Sequence, residues 1–348
     1  MRFVLVLIGL YLAFGTALAA DPPIEDDLEF SDAPLSDQVE YPSWFKLSFL
    51  NLPEDLEEAV DAGKKGLIVY FGQHHCAYCK ALMVRGFGRE DIAMYTQRNF
   101  DVVALDIWSD RMVTDMQHFI LPEKELAVRE KTNFTPSLIF YDASGREVLR
   151  LRGYYPPYKL LAALEYVADG HYRGATFHDY LDRGASAMSF LEGGLNESEL
   201  FTEGPAILQR DPVYGERPLA VFFEQPLCHA CDLLHTGPLS DPEIRRLLGR
   251  MDVAQLNMSG SGPVVIPTGE RLTAQQWARQ MGLFHAPTVI FFDEWGVEIL
   301  RIDSVVQLYR MRSVLEYVLS EDYLFEPNFQ RWRELNSRAG EEARESAD

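Results

Sequence analysis

Short apolar runs and amphipathic stretches alternate along this chain in an order that occurs twice. Residues 67–71 are apolar without a break, which fits a strand covered on both faces. The preceding 52–60 predict a helix, with Pro53 in its first turn and Glu54 and Asp55 where the helix dipole favours acids. Gly63 and Gly66 end it. Downstream, 79–98 read as mostly helical, with Gly86 and Gly88 as kinks or breaks. Then come a strand over 101–107 and a helix over 122–131 that begins with Pro122. Strands at 137–141 and 147–151 are joined by a turn containing Gly145, and an amphipathic helix at 157–167 closes the unit.

The order then returns. Strands are predicted at 219–224 and 253–258, helices at 241–250 and 273–281, a hairpin at 288–292 and 298–302 through Gly296, and a closing helix at 305–319. Landmarks recur in register. Cys76 and Cys228 are 152 residues apart, while Pro136 and Pro287, Gly145 and Gly296, and Arg150 and Arg301 are each 151 apart. Leu164-Glu165-Tyr166-Val167 recurs as Leu315-Glu316-Tyr317-Val318 at the same offset of 151. So many landmarks in one register mark a duplication. The units are placed at 45–172 and 214–325, with 173–213 as a linker and the short helix leading into the second unit. A charged helical tail is expected over 326–348.

The first 20 residues read as a signal peptide: Arg2, a nearly continuous apolar stretch to Leu18, then Ala17-Leu18-Ala19 before a cleavage point. Residues 21–40 carry eight acids and no Lys or Arg, so 21–44 are expected as an acidic disordered leader. The full chain of 348 residues has a formal charge of −21, which disfavours nucleic acid and anionic lipid as partners. No second apolar run long enough to span a membrane follows, so no span is expected in the mature chain. Secretion, together with an ending Glu345-Ser346-Ala347-Asp348 that is no retention signal, points to a periplasm.

All 4 cysteines lie in two Cys-x-x-Cys pairs, Cys76/Cys79 and Cys228/Cys231, each following a predicted strand. A bridge between residues so close closes almost no loop and stabilises little, so the pairs are read as chemistry. At a helix N-terminus the first sulfur sits over unpaired N–H groups that favour a thiolate, and the second lies one turn away to resolve a mixed disulfide. Cys76 and Cys228 are the candidate nucleophiles. Tyr78 and His229 lie between the cysteines as candidate tuning residues, and a cationic His229 would favour the thiolate. Lys80 after Cys79 and Asp232 after Cys231 give the sites different flanks. His74, His75 and His229 keep a copper- or zinc-binding module open as a rival from another class. A shared Cys₄ zinc site is disfavoured because each pair sits in its own repeat with its own proline. No metal or other cofactor is expected.

The first unit, through residues 67–80 with Cys76-Ala77-Tyr78-Cys79 and Thr135-Pro136-Ser137, resembles the SoxW-type periplasmic thioredoxins. The second, through Cys228-His229-Ala230-Cys231 and Leu239-Ser240-Asp241-Pro242-Glu243, is similar to these and to the C-terminal domain of the membrane reductase DsbD. The resemblance implies an α/β chain of two tandem thioredoxin-like domains, each a central mixed β-sheet flanked by helices. It implies cis bonds at Pro136 and Pro287 facing the dithiols, with Thr135 and Ala286 in the substrate-facing position. It also implies disulfide-bearing proteins as substrates and a DsbD-like membrane donor of electrons. The chain departs from the family at two points. Tyr70 and Phe222 stand where many thioredoxins keep a buried acid, with Glu224 as a nearby substitute in the second unit, and neither site has Gly-Pro between its cysteines. The likeness to reductase-type domains favours reduction, with oxidation or isomerisation as the alternative.

Overall fold

The two hydrophobic patterns fold into two four-stranded mixed sheets. A computed structural model describes residues 28–185, 194–201, 206–210 and 216–345, so the expected signal peptide lies outside it. In the first unit, β1 (Gly66–Gly72) pairs parallel with β2 (Phe100–Asp106) and antiparallel with β5 (Ser137–Asp142), which pairs with β6 (Glu147–Arg152). Every residue of β1 is buried, as an unbroken apolar run requires when helices cover both faces. Helix α1 (Leu52–Asp61) precedes β1, and α2 (Ala77–Ala81) follows it. A π-helical turn at Leu82–Gly86 separates α2 from α3 (Glu90–Asn99), so the break expected near Gly86 and Gly88 is real. Two short strands, β3 (Met112–Thr114) and β4 (Ile120–Pro122), lead into α4 (Glu123–Arg129). After β6 come α5 (Pro157–Ala168) and α6 (Phe177–Ala185).

The second unit repeats this plan. After the short β7 (Ala206–Ile207), β8 (Leu219–Glu224) pairs parallel with β9 (Asp252–Asn257) and antiparallel with β12 (Thr288–Phe292), whose other neighbour is β13 (Glu298–Ile302). Helix α7 (His229–Thr236) carries the second dithiol at its start. Asp241 caps α8 (Pro242–Leu248) by accepting from the N–H groups of Glu243 and Ile244. The small strands β10 (Pro263–Val265) and β11 (Arg271–Thr273) correspond to β3 and β4. Thr273 and Gln276 form a capping box on α9 (Ala274–Gln280). Helix α10 (Leu308–Leu319) closes the unit and α11 (Phe329–Glu345) follows.

The hairpin turns show the duplication in atomic detail. Asp142 Oδ1 accepts from the N–H groups of Ser144 and Arg146, and Asp293 Oδ1 from those of Trp295 and Val297. Gly145 and Gly296 follow at φ +79° and +80°, a backbone region that costs glycine nothing.

Two stretches depart from what composition suggests. The described part of the acidic leader, 28–44, packs on the fold instead of standing free. Phe30 meets the Tyr78 ring edge-on at 5.0 Å, the Val39 N–H donates to the His74 carbonyl at 2.9 Å, and Asp32 is buried. The reason is local satisfaction: the Asp32 carboxylate accepts from Tyr78 Oη and from the N–H groups of Tyr309 and Arg310, so its charge is hydrogen-bonded at three points. The charged tail likewise begins as core. Phe329, Gln330 and Trp332 on the first turn of α11 are buried, because the apolar pair packs with Phe134 and Tyr317.

Candidate active site

Both dithiols sit where strand hands over to helix. Cys76 is the N-cap of α2, and its sulfur accepts from the Cys79 N–H at 3.0 Å. Cys228 is the N-cap of α7, and its sulfur accepts from the Cys231 N–H at 3.1 Å. In each pair the two cysteines are joined as a disulfide. The first sulfur of each pair thus lies against an orphan helical N–H, the donor that would stabilise a thiolate after reduction. The second sulfur is buried in both units.

The proline loops complete the arrangement. The bonds Thr135–Pro136 and Ala286–Pro287 are both cis. Cys76 Sγ lies 3.7 Å from the Thr135 carbonyl oxygen and 3.5 Å from Thr135 Oγ1, so this loop faces the first sulfur. Gln73 Nε2 donates to Thr135 Oγ1 at 2.8 Å while its Oε1 accepts from Trp108 Nε1 at 2.8 Å, which holds the loop against β1. In the second unit, Pro287 and His285 share a small cleft with Ala230 and Leu233 of α7 and with Gln307.

The candidate tuning residues divide. Tyr78 is buried, donates to Asp32 at 2.8 Å and accepts from the Gln307 N–H at 2.8 Å; burial pushes its phenol pKa upward. His229 is exposed at the first position of α7. Glu224 is fully buried at the end of β8, where His235 Nε2 lies 3.0 Å from Oε1 and Gln255 Nε2 donates to Oε2 at 3.1 Å. His235 stands one turn below Cys231 on α7, so the buried carboxylate belongs to the same face of the second site. Tyr70 and Phe222 are wholly buried, leaving no acid on either strand at that level. His74 pairs with Asp106 at 3.1 Å and His75 lies 3.0 Å from the Leu35 carbonyl.

The two sites differ most in what covers them. Cys228 is partly exposed, whereas Cys76 keeps only 6% of its surface. The cover comes from far along the chain. Arg310 Nη2, on α10, donates to the Thr135 carbonyl at 2.8 Å, and its Cζ stacks 3.3 Å from the Tyr78 ring centroid. Gln330 Nε2 donates to the Asn133 carbonyl at 2.9 Å, and its Oε1 accepts from Gln73 at 3.1 Å. Sequence reading missed Asp32, His235, Arg310 and Gln330. One signal for Arg310 was available, since it stands 151 residues after Lys159 at the same repeat position.

A disulfide that closes between the N-cap and third residue of a helix, opposite a cis-proline, is the working part of a thiol–disulfide oxidoreductase, and this chain carries two. The chain belongs to the thioredoxin-like family: residues 52–168 and again 214–319 match the thioredoxin-like domain, together more than half of the sequence. Among solved structures it is similar to a thioredoxin-fold protein from Helicobacter pylori, at 25% identity over 36% of this chain and 82% of that one, with a TM-score of 0.31. It is also similar to a thioredoxin from Thermus thermophilus, at 23% identity over 34% and 88% with a TM-score of 0.25. For the reduced C-terminal domain of DsbD from Neisseria meningitidis the figures are 17%, 30% and 84%, with a TM-score of 0.24. No curated protein matches the chain.

Proposed function

We propose that the chain is a periplasmic disulfide reductase working through two dithiols. The observation that carries this is the repeated geometry: a first sulfur at a helix N-cap, a buried second sulfur one turn on, and a cis-proline in the same unit. In each site the thiolate of Cys76 or Cys228 attacks a substrate disulfide, forming a mixed disulfide and expelling one substrate thiolate. Cys79 or Cys231, deprotonated, then attacks the mixed disulfide and expels the second. Two electrons and two protons pass to the substrate and the site is left as its own disulfide. A membrane donor with a dithiol of its own would return the electrons. Thr135 and Ala286 are the proposed docking residues, which present a strand edge to the substrate backbone.

The unequal cover supports unequal roles. The partly exposed Cys228 suits exchange with large partners, and the buried Cys76 suits an internal or gated step. In the test, reduced protein should cleave the disulfides of insulin, and Cys76→Ser combined with Cys228→Ser should abolish cleavage. Activity that survives both changes would falsify the mechanism. Measured potentials decide direction: values near −270 mV belong to reductants and values near −120 mV to oxidants.

A further inference from the structure

The two units touch through matched positions. Gly153 lies directly against Ser304, leaving no room for a Cβ, and the Val305 N–H donates to the Tyr154 carbonyl at 3.1 Å. The members of each pair are 151 residues apart, so equivalent positions meet each other, the mark of a two-fold exchange. Other contacts are reciprocal. Phe329, opening α11, packs at 5.4 Å from Phe134 in the first proline loop, and Phe177, opening α6, packs at 5.1 Å from Phe284 in the second. Lys159 on α5 places Nζ 2.6 Å from His285 Nδ1 of the second loop, and Arg310 on α10 reaches Thr135 of the first. Each unit lends a basic side chain to the proline loop of the other.

We propose that Arg310, lent by the second unit, is a positioning residue of the first dithiol, and that its guanidinium stabilises the Cys76 thiolate when the disulfide is reduced. The proposal rests on the dithiol chemistry proposed above. Arg310 is 2% exposed, and among the described residues its Nε and Nη1 have no hydrogen-bond partner. A buried cation held by one carbonyl and two aromatic faces, Tyr78 and Phe134, is costly unless an anion joins it. Its Nη2 contacts the same carbonyl oxygen that Cys76 Sγ approaches. Reduction of the neutral disulfide therefore creates a negative charge across the Thr135 carbonyl from an under-partnered guanidinium. Among the described residues, the other charged or titratable groups around Arg310 are Tyr78, Asp32 from the leader and Arg333 from α11, giving two guanidinium charges against one carboxylate. Burial draws the Arg310 pKa down to about 10, which keeps it charged at neutral pH. Among the described residues, the second site gains nothing equivalent. Lys159 contacts the His285 imidazole and the Phe284 carbonyl, burial draws its pKa down to about 7, and burial with Lys159 alongside holds His285 well below the ordinary histidine range.

The test is a thiolate titration by ultraviolet absorbance in the full chain with Cys79, Cys231 and Cys228 replaced by Ser, so that Cys76 is the only thiol. Arg310→Gln should raise the pKa of Cys76 by about one unit, a tenfold loss of thiolate at pH values below it. Arg310→Lys should recover at least half of that change. In the matching chain whose only thiol is Cys228, Arg310→Gln should move nothing. A Cys76 titration that is unchanged by Arg310→Gln in a protein with native circular dichroism overturns the proposal. Should Arg310→Gln lose native circular dichroism, Arg310→Lys decides: a value within half a unit of the parent supports the role of charge, and a larger rise overturns it. Insulin cleavage by the parent is scored separately, since its absence would remove the functional reading and leave this titration standing.

Discussion

Phe329→Ala is the sharpest probe of the cover over the first dithiol. The Phe329 side chain is fully buried, with ring centroids 5.4 Å from Phe134, 5.4 Å from Tyr317 and 5.8 Å from Trp332. Truncating a buried Phe costs about 3–5 kcal/mol through lost burial and the cavity left behind. Phe134 belongs to the proline loop of the first unit, while Tyr317 and Trp332 belong to the second unit and its tail. Part of the loss therefore falls on the contact between units. If about 2 kcal/mol falls there, the population with the loop uncovered rises about 30-fold. Neighbouring bonds limit how far the helix turn moves, since Gln330 still holds the Asn133 carbonyl and the Asn328 side chain reaches the Thr132 carbonyl at 3.5 Å. The assay is alkylation by a bulky maleimide of reduced protein carrying Cys79→Ser and Cys231→Ser, with each site quantified by peptide mass. In the parent background Cys228 should react at least tenfold faster than Cys76, and Phe329→Ala should close most of that gap. If Phe329→Ala lowers the thermal midpoint while the ratio of the two rates stays within twofold of the parent, the tail is not the cover and the inference of unequal roles fails.

Two further outcomes are expected. His285 titrates well below the ordinary histidine range in the folded chain because it is buried and faces Lys159. Below pH about 6.5 the unfolded chain therefore binds more protons than the folded one. The stability linked to His285 is present above that pH and is lost as pH falls below it, while Lys159, drawn down to about 7 by burial, adds a separate loss on falling pH in a higher range. His285→Gln should flatten this acid limb in urea unfolding curves, and a limb unchanged by the substitution would remove His285 as its source. Glu224→Gln should cost about 1–3 kcal/mol, because it disturbs a buried carboxylate shared by His235 and Gln255. In a Cys76→Ser background it should also shift the pH profile of insulin reduction by the second dithiol, and an identical profile would leave Glu224 a purely structural role.

Much of the fold was legible because its signals are local. The apolar run 67–71, the Asp-Pro opening of α8 and the Gly-bearing hairpin turns each act within a few residues, and each lies where the pattern placed it. The duplication was legible because register survives divergence. The pairs β3/β4 and β10/β11 were missed because three-residue strands are too short to show a period of two. The helix α6 falls inside 173–213, read as a linker with a short helix leading into the second unit, and Phe177 packs it against Tyr166 of the first unit as well as Phe284 of the second. The cysteines declared themselves by type and spacing, and the family resemblance implied the cis bonds at Pro136 and Pro287. What surrounds the first pair did not. Asp32 reads as one more acid in a solvated leader, and Arg310 as one more charge on an amphipathic helix. Only the fold brings them onto Tyr78 from opposite ends of the chain.

The pairing of Gly153 with Ser304 and of Tyr154 with Val305 has a consequence for stoichiometry. An isologous contact closes on itself, since each partner uses up the surface the other requires. Here both partners lie in one polypeptide, so a second molecule finds no free copy of that surface to dock on. Association through it would require two chains to trade halves, first unit of one with second unit of the other. The repeat thus behaves as a dimer whose subunits are present in a fixed ratio of one to one at any dilution, and the covered first dithiol keeps its cover regardless of how much protein is present.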